Sequence, residues 1–188
     1  MKKSKIVWLL CAMMTFATGC NMINNNPDQP TKPTEPVADD TTPVGAYMTY
    51  TFGTNDDLLN MFNVTIEYYD ENGKVQSEKI KETAWSKRVD AKSLPAKLGF
   101  RILFTLNGNY SISPTKVETI SYYYSYLTGP TNAEGKVIIG KGSNDSLNFD
   151  QDCASGKLEK WLESYSSHPS HYVFKYDSKG VATSSNWE

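Results

Sequence analysis

The segment from Gly45 to Glu188 predicts a mainly β fold, an antiparallel β-sandwich with one amphipathic helix near residues 155–166. Three observations support this prediction. Apolar and polar residues alternate with the period of two that a half-buried strand requires. Glycine, proline and asparagine separate the alternating segments at short intervals, as they do at turns. A single segment late in the chain changes to the helical period.

Alternation and a hairpin turn predict the first three strands. Ala46 to Phe52 forms the first strand and Phe62 to Tyr69 the second. Asp70-Glu71-Asn72-Gly73 follows at once, and Asn-Gly favours a hairpin because its residues accept positive φ. We therefore expect Lys74 to Lys81 to return antiparallel to the second strand. Its polar composition predicts a position at a sheet edge, where charge discourages further pairing.

The next strands differ in how regularly apolar and polar residues alternate along them. Leu98 to Leu106 has the cleanest pattern in the chain, and we expect it at the centre of a sheet. Val117 to Leu127 places Ile120 and three tyrosines on one face and Tyr123 on the other. Lys136 to Gly140 is short and apolar in its middle, which predicts a further strand.

The last part of the chain predicts the helix and a closing hairpin. Four large side chains recur at the spacing of one helix face, namely Leu158, Trp161, Leu162 and Tyr165. Asp152 or Ser155 is the expected N-cap of this helix. Tyr172 to Tyr176 and Val181 to Trp187 then form a final hairpin around the turn Asp177-Ser178-Lys179-Gly180.

The segment from Val64 to Gly108 resembles the small sandwich domains of membrane-tethered accessory proteins that serve bacterial lipid exporters. The likeness consists of a strand, a turn, a polar strand, the sequence Ala84-Trp85-Ser86-Lys87-Arg88-Val89, and an apolar strand that ends at Asn107-Gly108. The resemblance implies an immunoglobulin-like or transthyretin-like sandwich. The cysteine pair that often staples those domains is missing here, and the predicted helix has no counterpart in them. The resemblance therefore concerns the fold and not the activity.

The first twenty residues have the three regions of a secretory leader. Three lysines among the first five residues precede an apolar stretch from Ile6 to Phe16, and Ala17-Thr18-Gly19-Cys20 follows. The apolar stretch is well short of the roughly 20 residues that a membrane-spanning helix needs. Residues 1–19 are therefore predicted to be a cleaved signal peptide.

Residues 17–20 resemble the lipobox of bacterial lipoproteins, in which a small residue precedes a cysteine and cleavage falls just before that cysteine. The resemblance implies that Cys20 becomes the first residue of the mature protein. It also implies that Cys20 carries a diacylglycerol, usually with a third acyl chain on its amine. Several acyl chains hold a protein stably on a membrane, whereas one chain binds marginally. The alternative is an ordinary secretory leader in which Cys20 carries no lipid.

Residues 20–44 are rich in proline, asparagine and threonine and contain few large apolar residues. Such a segment buries too little surface to fold, and its prolines favour an extended spacer, so we expect a lipidated tether. Asp40-Thr41-Thr42 and Asp145-Ser146-Leu147 resemble a short acceptor motif for O-glycosylation of exported bacterial proteins. The tether site is favoured because glycans need exposed, flexible backbone.

Charge argues against a nucleic-acid partner. Removal of residues 1–19 takes away three lysines and no acidic residue, which leaves 16 basic and 21 acidic side chains and a net charge of −5. Nucleic acids and anionic headgroups require clustered lysines and arginines. We therefore expect contact with the membrane through the lipid anchor and no binding of nucleic acid.

Cysteine and histidine give few candidates for chemistry. Cys153 has no disulfide partner once Cys11 leaves with the leader and Cys20 is lipidated, so we expect a small buried apolar residue there and not a nucleophile. His168 and His171 have a spacing that can chelate a metal. A metal site needs three or four ligands, so an incidental pair in a loop is the favoured explanation. We expect no metal site and no cofactor.

The acidic segments give no candidate site, and no known catalytic motif is present. Asn144, Asp145, Asp150 and Asp152 lack the spacing of a calcium loop and are expected to form a solvated loop. Asn55-Asp56-Asp57 predicts a strand-end turn or a helix cap. The sequence contains no nucleophile-elbow, phosphate-loop or dinucleotide motif, so no residue is assigned a catalytic role.

Aromatic residues are the more suggestive feature. Tyr122-Tyr123-Tyr124-Ser125-Tyr126 must place rings on both faces of its strand. Tyrosine and tryptophan provide amphipathic area for stacking on a glycan or for binding a protein. Tyr123, Trp85 and Trp187 are therefore candidate ligand contacts. The favoured alternative is that such rings fill the sandwich core.

These observations predict a cell-envelope lipoprotein, anchored at the outer membrane, whose β-sandwich is a non-catalytic binding or scaffolding domain. The expected partner is a glycan or an envelope protein. Whether the domain faces the periplasm or the cell surface is left open. The alternative function is an envelope polymer-processing enzyme whose catalytic residues match no known motif.

Overall fold

The computed structural model describes residues 40–188. The predicted signal peptide, Cys20 and most of the predicted tether lie outside the described residues. Within residues 40–188 the chain forms strands and helices in the order β1 Gly45–Thr54, α1 Asp56–Met61, β2 Phe62–Tyr69, β3 Val75–Ile80, β4 Ala84–Ala91, β5 Ala96–Leu106, β6 Glu118–Thr131, β7 Ser143–Cys153, α2 Leu158–Ser167, β8 His171–Tyr176 and β9 Ala182–Ser185.

The strands form two antiparallel sheets packed together, which confirms the predicted β-sandwich. Sheet A has the strand order β4-β1-β6-β7, and sheet B has the order β3-β2-β5-β8-β9. The predicted central strand, β5, is the middle strand of sheet B. The predicted edge strand, β3, is at one end of the same sheet.

The core consists of the residues that the alternation of apolar and polar side chains places on the inner faces of the strands. Met48, Tyr50 and Phe52 of β1 are completely buried between the sheets, whereas Thr49 and Thr51 point outward and remain partly exposed. Residues of β2, β5 and β6 at matching positions complete the core. Burial of side chains of this size stabilises the fold by about 1.5–3 kcal/mol each, before the entropy of ordering the chain is counted.

The β2–β3 turn has the predicted position and a defined geometry. The N–H of Gly73 donates to the Asp70 carbonyl at 2.9 Å, and the N–H of Asp70 donates to the Lys74 carbonyl at 2.8 Å. Gly73 has a φ of +72°, in the left-handed region where a Cβ would cause strain. Asp70 Oδ1 accepts further hydrogen bonds from the N–H groups of Asn72 and Lys74, so the aspartate fixes the turn.

Two predictions about the segment between β6 and α2 were wrong. The acidic segment expected to be a solvated loop is β7, which pairs with β6 from Ser143↔Thr128 to Cys153↔Glu118 and forms the edge of sheet A. The segment from Lys136 to Gly140, expected to be a strand, forms one isolated bridge between Val137 and Thr131. Ile138 is buried but Ile139 is 96% exposed, so one apolar contact anchors the segment and no ladder forms.

The predicted helix is present as α2, but its predicted N-cap was wrong. Lys157 occupies the N-cap position without a side-chain hydrogen bond, and Asp152 lies within β7. Trp161 fixes the helix by packing against Phe62 and Phe104, with ring centroids 5.6 and 6.0 Å away. Packing therefore holds α2 without a cap.

A second, shorter helix, α1, follows β1. Asn55 is its N-cap, and the Asn55 side chain accepts a hydrogen bond from the N–H of Leu58 at 2.8 Å. This confirms the helix-cap alternative for Asn55-Asp56-Asp57. No helix within residues 40–188 has both the length and the apolar character needed to cross a bilayer.

Cys153 is buried at the end of β7, as predicted, and is a free cysteine in the described part of the chain. Burial raises the pKa of its thiol, and the nearby Glu118 carboxylate raises it further. A thiol in these surroundings stays protonated and behaves as a small apolar side chain.

Candidate binding site

Tyr123 is the predicted contact residue that the structure leaves most open. Its side chain lies on the outer face of sheet A and is 40% exposed. Directly opposite on β1 is Gly53, where a Cβ atom would fall 2.0 Å from Tyr123 Cε1. The absence of a side chain at Gly53 therefore provides the space in which the ring lies over the sheet.

The surface around Tyr123 is rich in hydroxyl and amide groups. Residues opposite one another in antiparallel strands share a face, so the pairings of β1, β6 and β7 define its members. Leu127 contributes the large exposed aliphatic side chain of this surface. We call it the Tyr123 face, and it comprises Thr49, Thr51, Gly53, Ser121, Tyr123, Ser125, Leu127, Asn144, Ser146, Asn148 and Asp150.

The other tyrosines of the tract fill the core, as the favoured alternative predicted. Tyr122, Tyr124 and Tyr126 are each less than 10% exposed. Tyr126 packs against Tyr172 and Phe174 of β8, with ring centroids 4.6 and 5.2 Å apart. Alternation along β6 thus separates three structural rings from the one ring that faces solvent.

Trp85 lies away from the Tyr123 face, in a cluster that joins the two sheets. Its indole Nε1 donates to Glu78 Oε2 at 3.0 Å. The Tyr68 hydroxyl donates to Glu78 Oε1 at 2.7 Å, and the Lys87 ammonium pairs with the same oxygen. Because β3 and β4 are edge strands of different sheets, this Glu78 cluster closes one side of the sandwich.

The Glu78 cluster predicts a loss of stability in acid. The Lys87 ammonium, with the Tyr68 and Trp85 donors, lowers the pKa of the Glu78 carboxyl to about 2, although burial opposes the shift. A lowered folded-state pKa stabilises the fold above about pH 4.5, and this contribution disappears as the pH falls towards 2. Since the Glu78 side chain is about one-third exposed, we expect a loss of about 1–2 kcal/mol.

Urea titrations between pH 5 and pH 2.5 measure this effect. Glu78→Gln should flatten the pH dependence by about that amount. Glu82→Gln, an exposed glutamate in the β3–β4 loop, serves as the control and should leave the dependence unchanged. An equal acid response in wild type and Glu78→Gln would contradict the prediction.

Trp187 lies on the outer face of sheet B. Its ring stacks on Tyr69 with centroids 4.6 Å apart, and the Arg101 guanidinium carbon lies 4.7 Å from the ring centroid. Stacking and a cation–π contact hold the indole against the sheet. The three predicted contact residues therefore occupy three separate parts of the domain and do not form one site.

The histidine pair does not gather further ligands. His168 ends α2, and His171 begins β8 with its Nδ1 3.0 Å from the Pro169 carbonyl oxygen. Asp177, the next acidic residue after the pair, accepts hydrogen bonds from the N–H groups of Lys179 and Val181 in its own turn. No group of three or more His, Cys, Asp or Glu within residues 40–188 is placed to hold a metal ion.

A cleft of about 610 Å³ lies beside the β2–β3 turn. Lys97 and Lys175 line it, and both ammonium groups pair with the Glu188 side chain, at 3.5 and 2.9 Å. This pairing offsets the positive charge of the cleft.

Sequence analysis missed Glu118, the first residue of β6, which is only 2% exposed. Its position has the same parity as Ile120 and Tyr122, so the alternation of β6 already placed it on the buried face. A carboxylate in a buried register position is unusual, because acidic side chains are almost never fully buried unless they are paired.

Comparisons of this chain with protein-family models, with curated proteins and with solved structures find no match.

Proposed function

We propose that this protein is a lipid-anchored envelope protein whose β-sandwich binds a glycan through the Tyr123 face and catalyses no reaction. The observation that carries the proposal is the exposed Tyr123 ring, which lies over Gly53 within a hydroxyl-rich surface. The leader and the lipobox-like residues support the envelope location. The anchor is Cys20, and residues 20–44 act as the tether.

The chemistry of the Tyr123 face favours a sugar over a protein partner. A sugar ring presents an apolar C–H face to an aromatic ring and hydroxyl groups to polar neighbours. Thr51, Ser125 and Asn148 provide such neighbours around Tyr123. Protein interfaces, in contrast, are enriched in aromatic residues, methionine and arginine and depleted in serine.

The location of the face suits a tethered binding domain. The N–H of Val44, at the end of the predicted tether, donates to the Thr131 carbonyl at 2.8 Å beside the start of β1. Gly53 and Tyr123 lie at the other end of β1. Eight residues of strand separate the two points by roughly 25 Å. The proposed site is therefore at the end of β1 farther from the tether.

Tyr123→Ala is expected to weaken binding to a glycan selected on an array by at least tenfold. This corresponds to the loss of about 1.4 kcal/mol or more from one stacking ring. Tyr123→Phe keeps the ring and should retain binding within a few-fold. Val75→Ala, an exposed residue of β3, is the control for non-specific surface effects.

Two results would count against this function. A glycan array on which the wild-type protein binds no sugar would leave the Tyr123 face without its proposed ligand. Specific binding that persists in Tyr123→Ala would place the sugar elsewhere on the domain.

A further inference from the structure

Residues 132–142 form a loop between β6 and β7 whose tip is apolar and exposed. Residues 136–141 read Lys-Val-Ile-Ile-Gly-Lys. Ile138 is buried, whereas the Ile139 side chain is 96% exposed and Val137 is 39% exposed. An aliphatic side chain that stays in water gains no burial energy from the fold. The 132–142 loop therefore presents apolar surface that the domain itself does not use.

Hydrogen bonds fix the conformation of the 132–142 loop. The N–H of Ile138 donates to the Pro130 carbonyl at 3.0 Å, and the N–H of Asn132 donates to the Lys136 carbonyl at 2.9 Å. Asn132 is buried, and its Oδ1 accepts a hydrogen bond from the N–H of Lys136 at 2.9 Å. Because Ile138 fills the inner side of the loop, the exposed position of Ile139 follows from the course of the backbone.

The 132–142 loop lies where the predicted tether enters the domain. Asn132 Nδ2 donates to the Asp40 carbonyl oxygen at 3.0 Å. The N–H of Val44 donates to the carbonyl of Thr131, the residue just before the loop, at 2.8 Å. The loop and the last residues of the tether therefore lie at the same end of the domain.

The β8–β9 turn lies at this end as well. A Cβ atom at Gly180 would fall 2.5 Å from Pro43 Cβ and 3.2 Å from Pro130 Cβ, so the turn packs against the entering chain. Aliphatic side chains exposed together at one end of a domain mark a contact surface. The exposed aliphatic residues at this end are Val44, Val137, Ile139 and Val181.

The tether determines what this surface meets. Residues 20–44 join it to the proposed anchor at Cys20, so a bilayer is the surface nearest to this end of the domain. Lys136 and Lys141 flank the apolar tip, and lysine side chains at a membrane extend their ammonium groups to the polar headgroups. Glu134 pairs with Lys136 at 2.8 Å, so the loop is not strongly basic and its apolar tip is the main source of binding.

We propose that the 132–142 loop inserts Ile139 into the headgroup region of the bilayer that holds the anchor. Val137 and Val181 lie against the same interface. Gly53 and Tyr123, at the other end of β1, then face away from the membrane. The inference rests on the proposed lipid anchor and adds an orientation of the domain that a tether alone does not give.

Fluorescence quenching tests the proposal with the full-length lipidated protein in phosphatidylcholine vesicles that contain a nitroxide-labelled lipid. Ile139→Cys in a Cys153→Ala background takes a single thiol-reactive fluorophore, because Cys11 leaves with the leader and acylation uses the Cys20 thiol. Val117→Cys is the matched control, since Val117 is 52% exposed and precedes the opposite end of β6. Quenching at position 139 should be at least about threefold stronger than at position 117, because an inserted side chain reaches the headgroup boundary.

Ile139→Asp separates insertion from mere proximity to the membrane. With the fluorophore at Val181→Cys, this substitution should reduce quenching at least about threefold, because a carboxylate does not enter the apolar part of the interface. Val117→Asp adds the same charge at the opposite end of the domain and should leave quenching at Val181→Cys unchanged. Both substitutions change exposed side chains, so neither removes a core contact.

The outcomes distinguish this inference from the proposed anchor. Protein that floats with the vesicles but is quenched equally at positions 139 and 117 would overturn the inference and leave the anchor intact. Quenching at Val181→Cys that persists in Ile139→Asp would also overturn the inference alone. Wild-type protein that does not float with the vesicles would disprove the anchor, and the proposed orientation with it.

Discussion

Cys20→Ala is expected to abolish the incorporation of a radioactive fatty acid into this protein in cells. The predicted anchor depends on one sulfur atom, because the lipobox resemblance implies that the thioether to diacylglycerol forms at Cys20. Each buried methylene contributes about 0.8 kcal/mol to membrane binding, so two or three acyl chains outweigh every other predicted contact of the protein with the bilayer.

The other two cysteines provide matched controls for this substitution. Cys11→Ala changes the leader upstream of the predicted cleavage point and should leave the label unchanged. Cys153→Ala removes a buried thiol that lipid does not reach in the folded domain and should also leave it unchanged. Fatty acid that remains on the Cys20→Ala protein would disprove the anchor. Wild-type protein that enters the aqueous phase after cloud-point separation in detergent would do the same.

Alternation predicted the strands that pack one face against the core. Over residues 100–104 of β5 and 118–128 of β6 every second residue is buried, and the period is visible because one face of the strand packs in the core and the other faces solvent. The same contrast correctly distinguished Tyr123 from Tyr122 and Tyr124. Burial on one side of a strand is therefore the property that the sequence records most clearly.

β7 was missed because that contrast is absent from it. Its side chains are exposed on both faces over most of its length, so aspartate, asparagine and serine occupy positions that alternate in other strands. Its backbone pairs with β6. Because nearly every residue type has the same backbone donor and acceptor, this pairing cannot be recognised from the sequence. Charge along an edge strand also discourages further pairing, which gives such a strand the composition of a loop.

The candidate sites were only partly predictable for a different reason. Tyr123 was predicted because alternation places it on the strand face opposite Tyr122, Tyr124 and Tyr126, but the role of Gly53 depends on a pairing between strands distant in sequence. Trp85 and Trp187 are large aromatic residues like Tyr123 and were predicted as ligand contacts on the same ground. In the fold a hydrogen bond to Glu78 holds Trp85, and stacking on Tyr69 holds Trp187.

Gly99→Ala is expected to destabilise the domain by about 3 kcal/mol, near the upper end for overpacking in a core. Gly99 lies in β5, the central strand of sheet B, opposite Val173 of β8. A Cβ atom at this position would fall 2.5 Å from the Tyr172 carbonyl oxygen and 2.8 Å from the Val173 Cα. Both atoms are backbone, so no rotation of a side chain relieves the contact and β8 must move away from β5.

Gly108→Ala should not destabilise the domain and is therefore a strict control. Nothing lies within 4 Å of a Cβ atom built at Gly108. Alanine there restricts the unfolded chain without a clash, so the variant should be unchanged or more stable by up to about 1 kcal/mol. Urea unfolding followed by tryptophan fluorescence measures both variants. A Gly99→Ala protein as stable as Gly108→Ala would show that β8 does not approach β5 as closely as the 2.5 Å contact requires.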